Sequence, residues 1–165
     1  MGVSVPYRQA EGRWKLLSRR DIPDYNDPDT TYLTRWTLVE TPWFAVHVHR
    51  IRRPDADRDL HDHPWSFVSV VLRGWYRETR LSAEGRRQCD YGYWQARQYT
   101  MRRRFSVAYR RAETMHAIHE ISPSPLWTLV LCGPRRRRWG FRLTRTGHWL
   151  DADEYFAPPT AKAAR

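Results

Sequence analysis

The sequence predicts an all-β fold, an antiparallel sandwich or barrel, and two observations support this prediction. Between residues 31 and 150 the chain consists of short runs of Val, Ile, Leu, Thr and aromatic residues, separated by Pro, Gly and other turn-forming residues. No long helical pattern interrupts these runs, which is typical of sandwiches and barrels. With 165 residues, including nine Trp, nine Tyr and five Phe, we expect one domain over residues 31–150 with a core that needs no disulfides.

Two terminal segments flank this predicted domain. Residues 1–30 form an N-terminal arm and loop, in which Trp14, Leu16 and Leu17 favour a short helix over residues 11–19. The following stretch, DIPDYNDPDT, is rich in Asp, Pro and Asn and is typical of an irregular loop. Residues 151–165 form a C-terminal tail, and we expect its end after Phe156, APPTAKAAR, to be disordered.

Nine segments are candidate strands, each bounded by turn signals such as Gly74 or the SPSP run at residues 122–125. They span residues 32–40, 43–52, 61–73, 75–81, 91–94, 105–109, 116–121, 126–132 and 137–143. In the second segment His47 and His49 share one face with apolar residues, because alternate residues of a strand point the same way. We expect His47 and the later His148 to be structural or surface residues, whereas His49 matches a family pattern described below.

The charge and the cysteines limit the function classes to consider. Lys and Arg number 29 against 18 Asp and Glu, a net charge of +11 that would attract a small anion or nucleic acid. Almost all of this positive charge is Arg, so the base composition of the source genome explains it equally well. Cys89 and Cys132 are far apart and predict neither a zinc knuckle nor a disulfide. Without a visible signal peptide or membrane-spanning run, we expect a cytoplasmic protein with no membrane partner.

The triplet His61-Asp62-His63, just before an apolar run, is the strongest candidate for a functional site. On a strand, the two imidazoles point to one face and the carboxylate of Asp62 points to the other. Two imidazoles on one face can chelate a metal ion, and imidazole suits iron, zinc, copper and nickel. The structural alternative is that Asp62 and Pro64 shape a tight turn while the histidines bond to backbone.

The stretch HDHPWSFVSVVLRG resembles the first signature of the cupin superfamily, in which an HxH pair is followed by Glu and then by Gly. His61 and His63 match the pair and Gly74 matches the glycine, but the glutamate position falls at Phe67 or Val68. The resemblance implies the cupin-type double-stranded β-helix, an antiparallel β-barrel. It also implies a metal site that lacks the usual carboxylate ligand.

The second cupin signature implies a third histidine on a later strand. The best match is His116 in RRAETMHAIHEI, and His119 is the competing choice. They are three residues apart, so only one of them can face His61 and His63 on a strand. We prefer His116, because its distance from the HDH triplet and from the strand at residues 126–132 suits the order of elements in the family.

A wider pattern resembles a group of small cupin-like proteins of bacteria and their phages. The matching segments are HRI at residues 49–51, HDHPW, GWYRE from residue 74, WTLVL, GPRRRRWGF and GHW at residues 147–149. This resemblance covers residues 33–150. It implies the fold but no particular activity.

Three imidazoles leave coordination positions open for water, dioxygen or substrate. We expect His61, His63 and His116 to hold a divalent metal, with Fe(II) as the first choice and Mn, Zn, Ni or Cu as alternatives. Nearby carboxylates should orient the rings. The candidates are Asp62 and Glu78, with Asp59 and Glu113 as further choices.

Other polar side chains are candidates for the substrate cavity. A phenol can donate a proton or bind an oxyanion, and His49 can line the cavity, so the catalytic candidates are Tyr76, Tyr109 and His49. A guanidinium group can grip an anion with two hydrogen bonds, so the candidates for binding the substrate anion are Arg104, Arg136 and Arg138. A solvated strand face is the simpler interpretation of residues 135–138.

These features together predict a metal-dependent cupin-like enzyme, an Fe(II) dioxygenase or oxidase acting on a small anionic organic or amino-acid-like substrate. A metal-dependent isomerase or lyase is an alternative, because the ion can act as a Lewis acid. A metal-free, sugar-epimerase-like cupin using His and Tyr is another. The alternative from a different class is a non-enzymatic module that binds an anionic ligand or nucleic acid. A homodimer is compatible with exposed strand edges.

Overall fold

The computed structural model describes residues 14–24, 27–55, 59–81 and 97–157, and within these ranges it contains twelve strands and one short helix. The strands are β1 (Lys15–Pro23), β2 (Thr31–Glu40), β3 (Ala45–Ile51), β4 (Leu60–His61), β5 (Phe67–Arg73), β6 (Tyr76–Leu81), β7 (Arg97–Arg102), β8 (Val107–Arg110), β9 (His116–Ile121), β10 (Leu126–Cys132), β11 (Gly140–Arg142) and β12 (Trp149–Asp151). The helix is α1 (Ala152–Tyr155). The all-β prediction is confirmed.

The strands form two six-stranded antiparallel sheets. The first sheet has the order β1-β2-β3-β10-β5-β8, and the second has the order β12-β11-β4-β9-β6-β7. Strands β3 and β10 lie in the middle of the first sheet and alternate buried and less buried residues along most of their length. This alternation directs every second side chain to the interior. In the described part of the chain no helix is long and apolar enough to cross a membrane.

The largest apolar cluster joins the two sheets. Leu33, Ile51, Val71 and Leu126 come from the first sheet, and Tyr76 comes from the second. All five are at most 7% exposed. Full burial of one such side chain contributes about 1.5–3 kcal/mol. The cluster therefore holds the inner faces of the two sheets together.

Three of the described strands were not predicted, and the predicted helix is wrong where it can be compared. Residues 15–19, assigned to a helix over 11–19, belong to β1, which pairs with β2 along its length. Strand β1 is mostly exposed, so it lacks the apolar alternation that reveals a strand. The other unpredicted strands are β7 and β12. Residues 11–13, the predicted strand at 91–94 and most of the tail lie outside the described residues.

The predicted strand at residues 61–73 is divided in two. Strand β4 ends at His61 and β5 begins at Phe67, so the intervening residues 62–66 leave the sheet. Proline interrupts a ladder because it has no backbone N–H, and Pro64 lies in this segment. Gly74, between β5 and β6, has a φ of +81°, and a Cβ there would lie 2.4 Å from Ser122 Oγ. Glycine is therefore required at this turn.

Candidate metal centre

Three histidines converge at one place between the sheets. His61, His63 and His116 can each offer a ring nitrogen such that all three ligand atoms lie within 4.8 Å of one another. The centroids of the rings are 4.8–5.2 Å apart. The Nε2 atoms of His63 and His116 are 2.8 Å apart. Two nitrogen atoms that each lie about 2.1 Å from one ion, with an angle of about 90° at the ion, are about 3 Å apart. The spacing of the two Nε2 atoms therefore fits a shared metal ion.

Backbone pairing explains why the histidines meet. His61 on β4 lies directly opposite His116 on β9 in the antiparallel register, so their side chains share one face of the second sheet. His63 lies outside the sheet, in the segment 62–66. Its backbone N–H donates to the carbonyl of Ala112 at 3.0 Å. The ring of Phe67 packs edge-on against His63, with centroids 4.8 Å apart. These contacts direct a loop histidine toward a strand pair.

The imidazoles of His61 and His63 are neutral near neutral pH, which is the form that binds metals. Burial lowers the pKa of His61 to about 4, with a further lowering by His116 that Asp55 opposes. Burial likewise lowers the pKa of His63 well below its usual value, and the other imidazoles add to this effect. A neutral imidazole keeps the lone pair that a metal needs. The donor set therefore fits a divalent transition metal, and three ligands leave positions open.

Two carboxylates flank the triad on the side away from the metal position. Glu78 Oε2 lies 3.7 Å from His116 Nδ1, and Asp55 Oδ2 lies 4.0 Å from His61 Nδ1. Both distances are longer than a hydrogen bond, and His116 Nδ1 has no closer partner among the described residues. A small movement, or a water molecule, would join either carboxylate to its ring. Glu78 had been predicted in this position, whereas Asp55 had not.

The environment of Glu78 keeps this carboxylate charged. Burial by itself would raise its pKa, but the nearby His116 ring, together with the hydrogen bond and positive charge of Arg110, outweighs burial and lowers the pKa to about 2. Asp55 is fixed differently, because its Oδ2 accepts from the backbone N–H of Ile118 at 2.6 Å and its Oδ1 from the hydroxyl of Tyr32. Both carboxylates are thus anchored before any metal binds.

The prediction that Asp62 orients an imidazole is wrong. Its carboxylate accepts hydrogen bonds from the backbone of Gly140 at 2.7 Å, from Arg137 at 2.6 Å and from Trp149 Nε1 at 3.0 Å. The side chain is buried and points toward these three partners, away from His61 and His63. Burial raises the pKa of Asp62, and its hydrogen bonds partly oppose this rise. Asp62 therefore connects β4 to the β11–β12 region.

The two tyrosines predicted to be catalytic lie in different environments. Tyr76 is buried in the core close to Glu78, but Tyr109 is 61% exposed. On β8, Arg110 points inward and contacts Glu78, so its neighbour Tyr109 points outward and the prediction of a catalytic role for it is wrong. His119, the competing third ligand, is also exposed and lies against Tyr99.

The predicted anion-binding arginines lie on the surface. Arg138 pairs with Asp151 at 2.8 Å and with Asp153 at 3.2 Å, and its side chain is 68% exposed. Arg136 is exposed on the irregular segment before β11, and Arg104 is exposed in the turn between β7 and β8. The prediction that these three arginines line the cavity is wrong, because residues 133–139 do not form a strand with a face toward the triad.

Two other histidines lie on the first sheet. His49 Nε2 accepts a hydrogen bond from Arg35 Nε at 3.1 Å, and His47 Nδ1 lies 3.1 Å from Thr37 Oγ1. His47 is 2% exposed, and its Nε2 has no partner among the described residues. Burial lowers the pKa of His47 to about 3, with further lowering by Arg35 and by Lys15. His49 thus lines the interior, but Arg35 occupies its lone pair.

Comparison with known proteins gives the fold. Neither the protein-family models nor the curated proteins contain a match to the chain. Among solved structures, an Fe(II) form of HppE, a cupin-fold enzyme, matches 71% of this chain with 14% identity and a TM-score of 0.50. The chain spans 56% of the length of HppE.

Two further solved structures are similar. An RmlC-like cupin from Shewanella frigidimarina matches 73% of this chain and 86% of its own, with 13% identity and a TM-score of 0.48. HEPD from Streptomyces albus, with 2-hydroxyethylphosphonate and Fe(II) bound, matches 72% of this chain and 24% of its own, with 18% identity and a TM-score of 0.48. The fold assignment rests on the match to HppE together with the two antiparallel sheets, the HDH triplet and Gly74. The chain has the cupin fold.

Proposed function

We propose that this chain is a metal-dependent enzyme, an Fe(II) oxidase or dioxygenase acting on a small anionic organic molecule. The observation that carries the proposal is the convergence of His61, His63 and His116 with no fourth protein ligand among the described residues. A purely structural metal site closes its coordination sphere with protein ligands, whereas a catalytic site leaves positions open. The Fe(II) in the solved form of HppE, which shares this fold, supports iron as the first choice.

The residues of this chain would divide the work as follows. The three imidazoles would bind the metal, which when bound would supply open positions for dioxygen and substrate. Glu78 would hold the Nδ1 proton of His116 and so fix which ring nitrogen faces the metal. Phe67, packed on His63 and His116, would keep water from one side of the site.

The Tyr76 phenol lies on the same face of β6 as Glu78, and burial is the main cause of its raised pKa. It would therefore remain protonated at neutral pH and would serve as a hydrogen-bond donor beside Glu78. Tyr76→Phe would then lower turnover and leave metal binding unchanged. This side chain also belongs to the core, so its thermal stability must be measured in parallel.

Oxygen consumption tests the proposal. Untagged protein would be stripped of metal, reloaded anaerobically with Fe(II), and exposed to oxygen with a panel of small carboxylates, amino acids and phosphorylated compounds. We expect oxygen uptake that depends on one class of substrate and that His116→Ala abolishes. His119→Ala is the matched control, because this exposed histidine lies on the same strand and should leave uptake unchanged.

Two results would contradict the oxidase assignment. Iron-loaded protein that consumes no oxygen with any member of the panel would argue against dioxygen chemistry. If the zinc- or manganese-loaded protein then isomerised or cleaved a panel member, the metal would act as a Lewis acid instead.

A further inference from the structure

A cluster of three arginines lies between the sheets beside the histidine triad, with Arg80 and Arg102 on the second sheet and Arg110 on β8 of the first sheet. They surround one carboxylate, Glu78. Arg110 donates a short hydrogen bond to Glu78 Oε1, Arg102 Nε lies 3.2 Å from the same oxygen and Arg80 Nε lies 3.7 Å from it. The side chain of Arg110 is 3% exposed, that of Arg102 is 20% exposed and that of Arg80 is 29% exposed.

The charges of this cluster do not balance among the described residues. Three guanidinium groups face one carboxylate, and the second oxygen of Glu78 is turned toward His116. A buried charge is costly unless it is paired and hydrogen-bonded. Arg110 Nε is also buried without a hydrogen-bond partner in the described part of the chain. An anion bound at this place would supply the missing negative charge.

The register places this cluster next to the metal centre. Arg80 on β6 lies directly opposite His116 on β9, and His116 lies directly opposite His61 on β4. Residues directly opposite in an antiparallel pair project from the same face of the sheet. Arg102 on β7 lies opposite Tyr76, two residues before Glu78 on the same face. A molecule of a few carbon atoms could therefore contact both the metal and the arginines.

We propose that Arg80 and Arg102 bind an oxyanion group of the substrate, a carboxylate or a phosphate, beside the triad. This inference rests on the proposed function and deepens it by naming the class of substrate and the residues that recognise it. Arg110, the most buried of the three, keeps Glu78 in place, and the two partly exposed arginines face the ligand. The planar guanidinium group suits such oxyanions because it can donate two parallel hydrogen bonds.

Anion binding to the metal-free protein tests this inference separately from catalysis. Isothermal titration calorimetry would measure the Kd of inorganic phosphate and of succinate for wild type, Arg80→Gln and Arg102→Gln. We expect one of the two anions to bind wild type and each substitution to weaken its binding about 10-fold or more. The anion that binds distinguishes a phosphate from a carboxylate group.

The matched control is Arg77→Gln. Arg77 lies on the same strand but points outward and pairs with Glu120 at 3.3 Å, each side chain being 48% exposed. This variant should keep the wild-type Kd within about twofold. Thermal melting would check that each variant folds, and Arg80→Gln carries the test if Arg102→Gln does not fold.

Two outcomes would overturn the inference. It fails if neither anion binds wild type at millimolar concentration, or if both arginine variants bind as tightly as wild type. Because the measurement needs no metal, failure here would leave the oxygen-consumption result standing. Conversely, a protein that binds the anion but retains no metal after loading with Fe(II) or Zn(II) would refute the proposed enzyme and preserve the anion site.

Discussion

The interior between the two sheets contains two HxH motifs, and their surroundings differ. One is His61-Asp62-His63 and the other is His47-Val48-His49 on the opposite sheet. Both place two imidazoles in the interior between the sheets, and in both pairs burial lowers the histidine pKa values. Only the first pair meets a third histidine. The spacing is identical, so spacing does not decide which pair can bind a metal.

The cross-strand neighbours make the difference. His61 lies opposite His116, whereas His47 lies opposite Thr37 and His49 lies opposite Arg35. Arg35 donates to His49 Nε2, and a lone pair engaged by a cation is not available to a metal ion. The first pair is therefore a potential chelate, and the second is a hydrogen-bonded part of the opposite wall.

The largest effect that separates the two motifs is metal retention. His61→Ala, His63→Ala and His116→Ala should each lose most of the bound metal, because two imidazoles hold an ion much less tightly than three. His47→Ala and His49→Ala should retain it. Elemental analysis of the untagged proteins measures the bound metal. Equal loss of metal in the variants of both motifs would contradict the claim that only the first motif binds it.

The next largest effect concerns Asp62, the middle residue of the first motif. Asp62→Ala should lower the free energy of unfolding by about 1–3 kcal/mol, because it leaves the buried Gly140 N–H without its acceptor. Metal binding by the folded fraction should persist, since Asp62 points away from the triad. Chemical denaturation of the metal-free protein gives the first quantity. A loss of metal without a loss of stability would contradict the orientation described here.

A smaller effect is expected at Glu78, which supports the first motif from β6. Glu78→Gln should weaken metal binding about 10–100-fold, as is typical when a residue that orients a histidine ligand is changed. Competition with a chromophoric chelator measures the Kd. Glu120→Gln, an exposed carboxylate on the neighbouring strand, is the control. An unchanged Kd in Glu78→Gln would show that this carboxylate does not position His116.

At neutral pH the smallest effect belongs to the second motif, because it appears only as the pH falls. The pKa of His47 is about 3 in the folded protein and 6.5 in its usual state, so the unfolded chain takes up a proton first as the pH falls. The contribution of neutral His47 to the free energy of unfolding is fully present above pH 6.5. It is lost as the pH falls toward 3, by about 1.4 kcal/mol per pH unit. His47→Gln should reduce this slope in metal-free protein. Denaturation between pH 6 and pH 4 checks it, and an unchanged slope would contradict the buried, neutral His47.

Much of the fold was predictable because alternation of buried residues is a local property. Strands β9 and β10 match their predicted limits. The glycine requirement at residue 74 also belongs to a local turn. By contrast, β1 has no apolar alternation and is a strand only because β2 pairs with it.

The surroundings of the site were less predictable because they depend on contacts between residues that are far apart in the sequence. The partners of Asp62 lie 75, 78 and 87 residues away in the sequence. Alternation along β6 puts Glu78 and Arg80 on one face, but only the register with β7 and the packing of β8 bring Arg102 and Arg110 to them. Sequence analysis therefore named arginines by clustering, at residues 104, 136 and 138, and did not assign Arg80 or Arg110 to the interior.

The metal content of the untagged wild-type protein tests the central claim most directly. After incubation with one equivalent of Fe(II) or Zn(II) and removal of the excess, we predict about one bound ion per chain and its loss in His63→Ala, with retention in His49→Ala. Wild-type protein that holds no metal would contradict the claim that the HDH triplet and His116 form a metal centre. If wild type binds the ion but His63→Ala and His49→Ala lose it equally, the proposed difference between the two motifs would be contradicted.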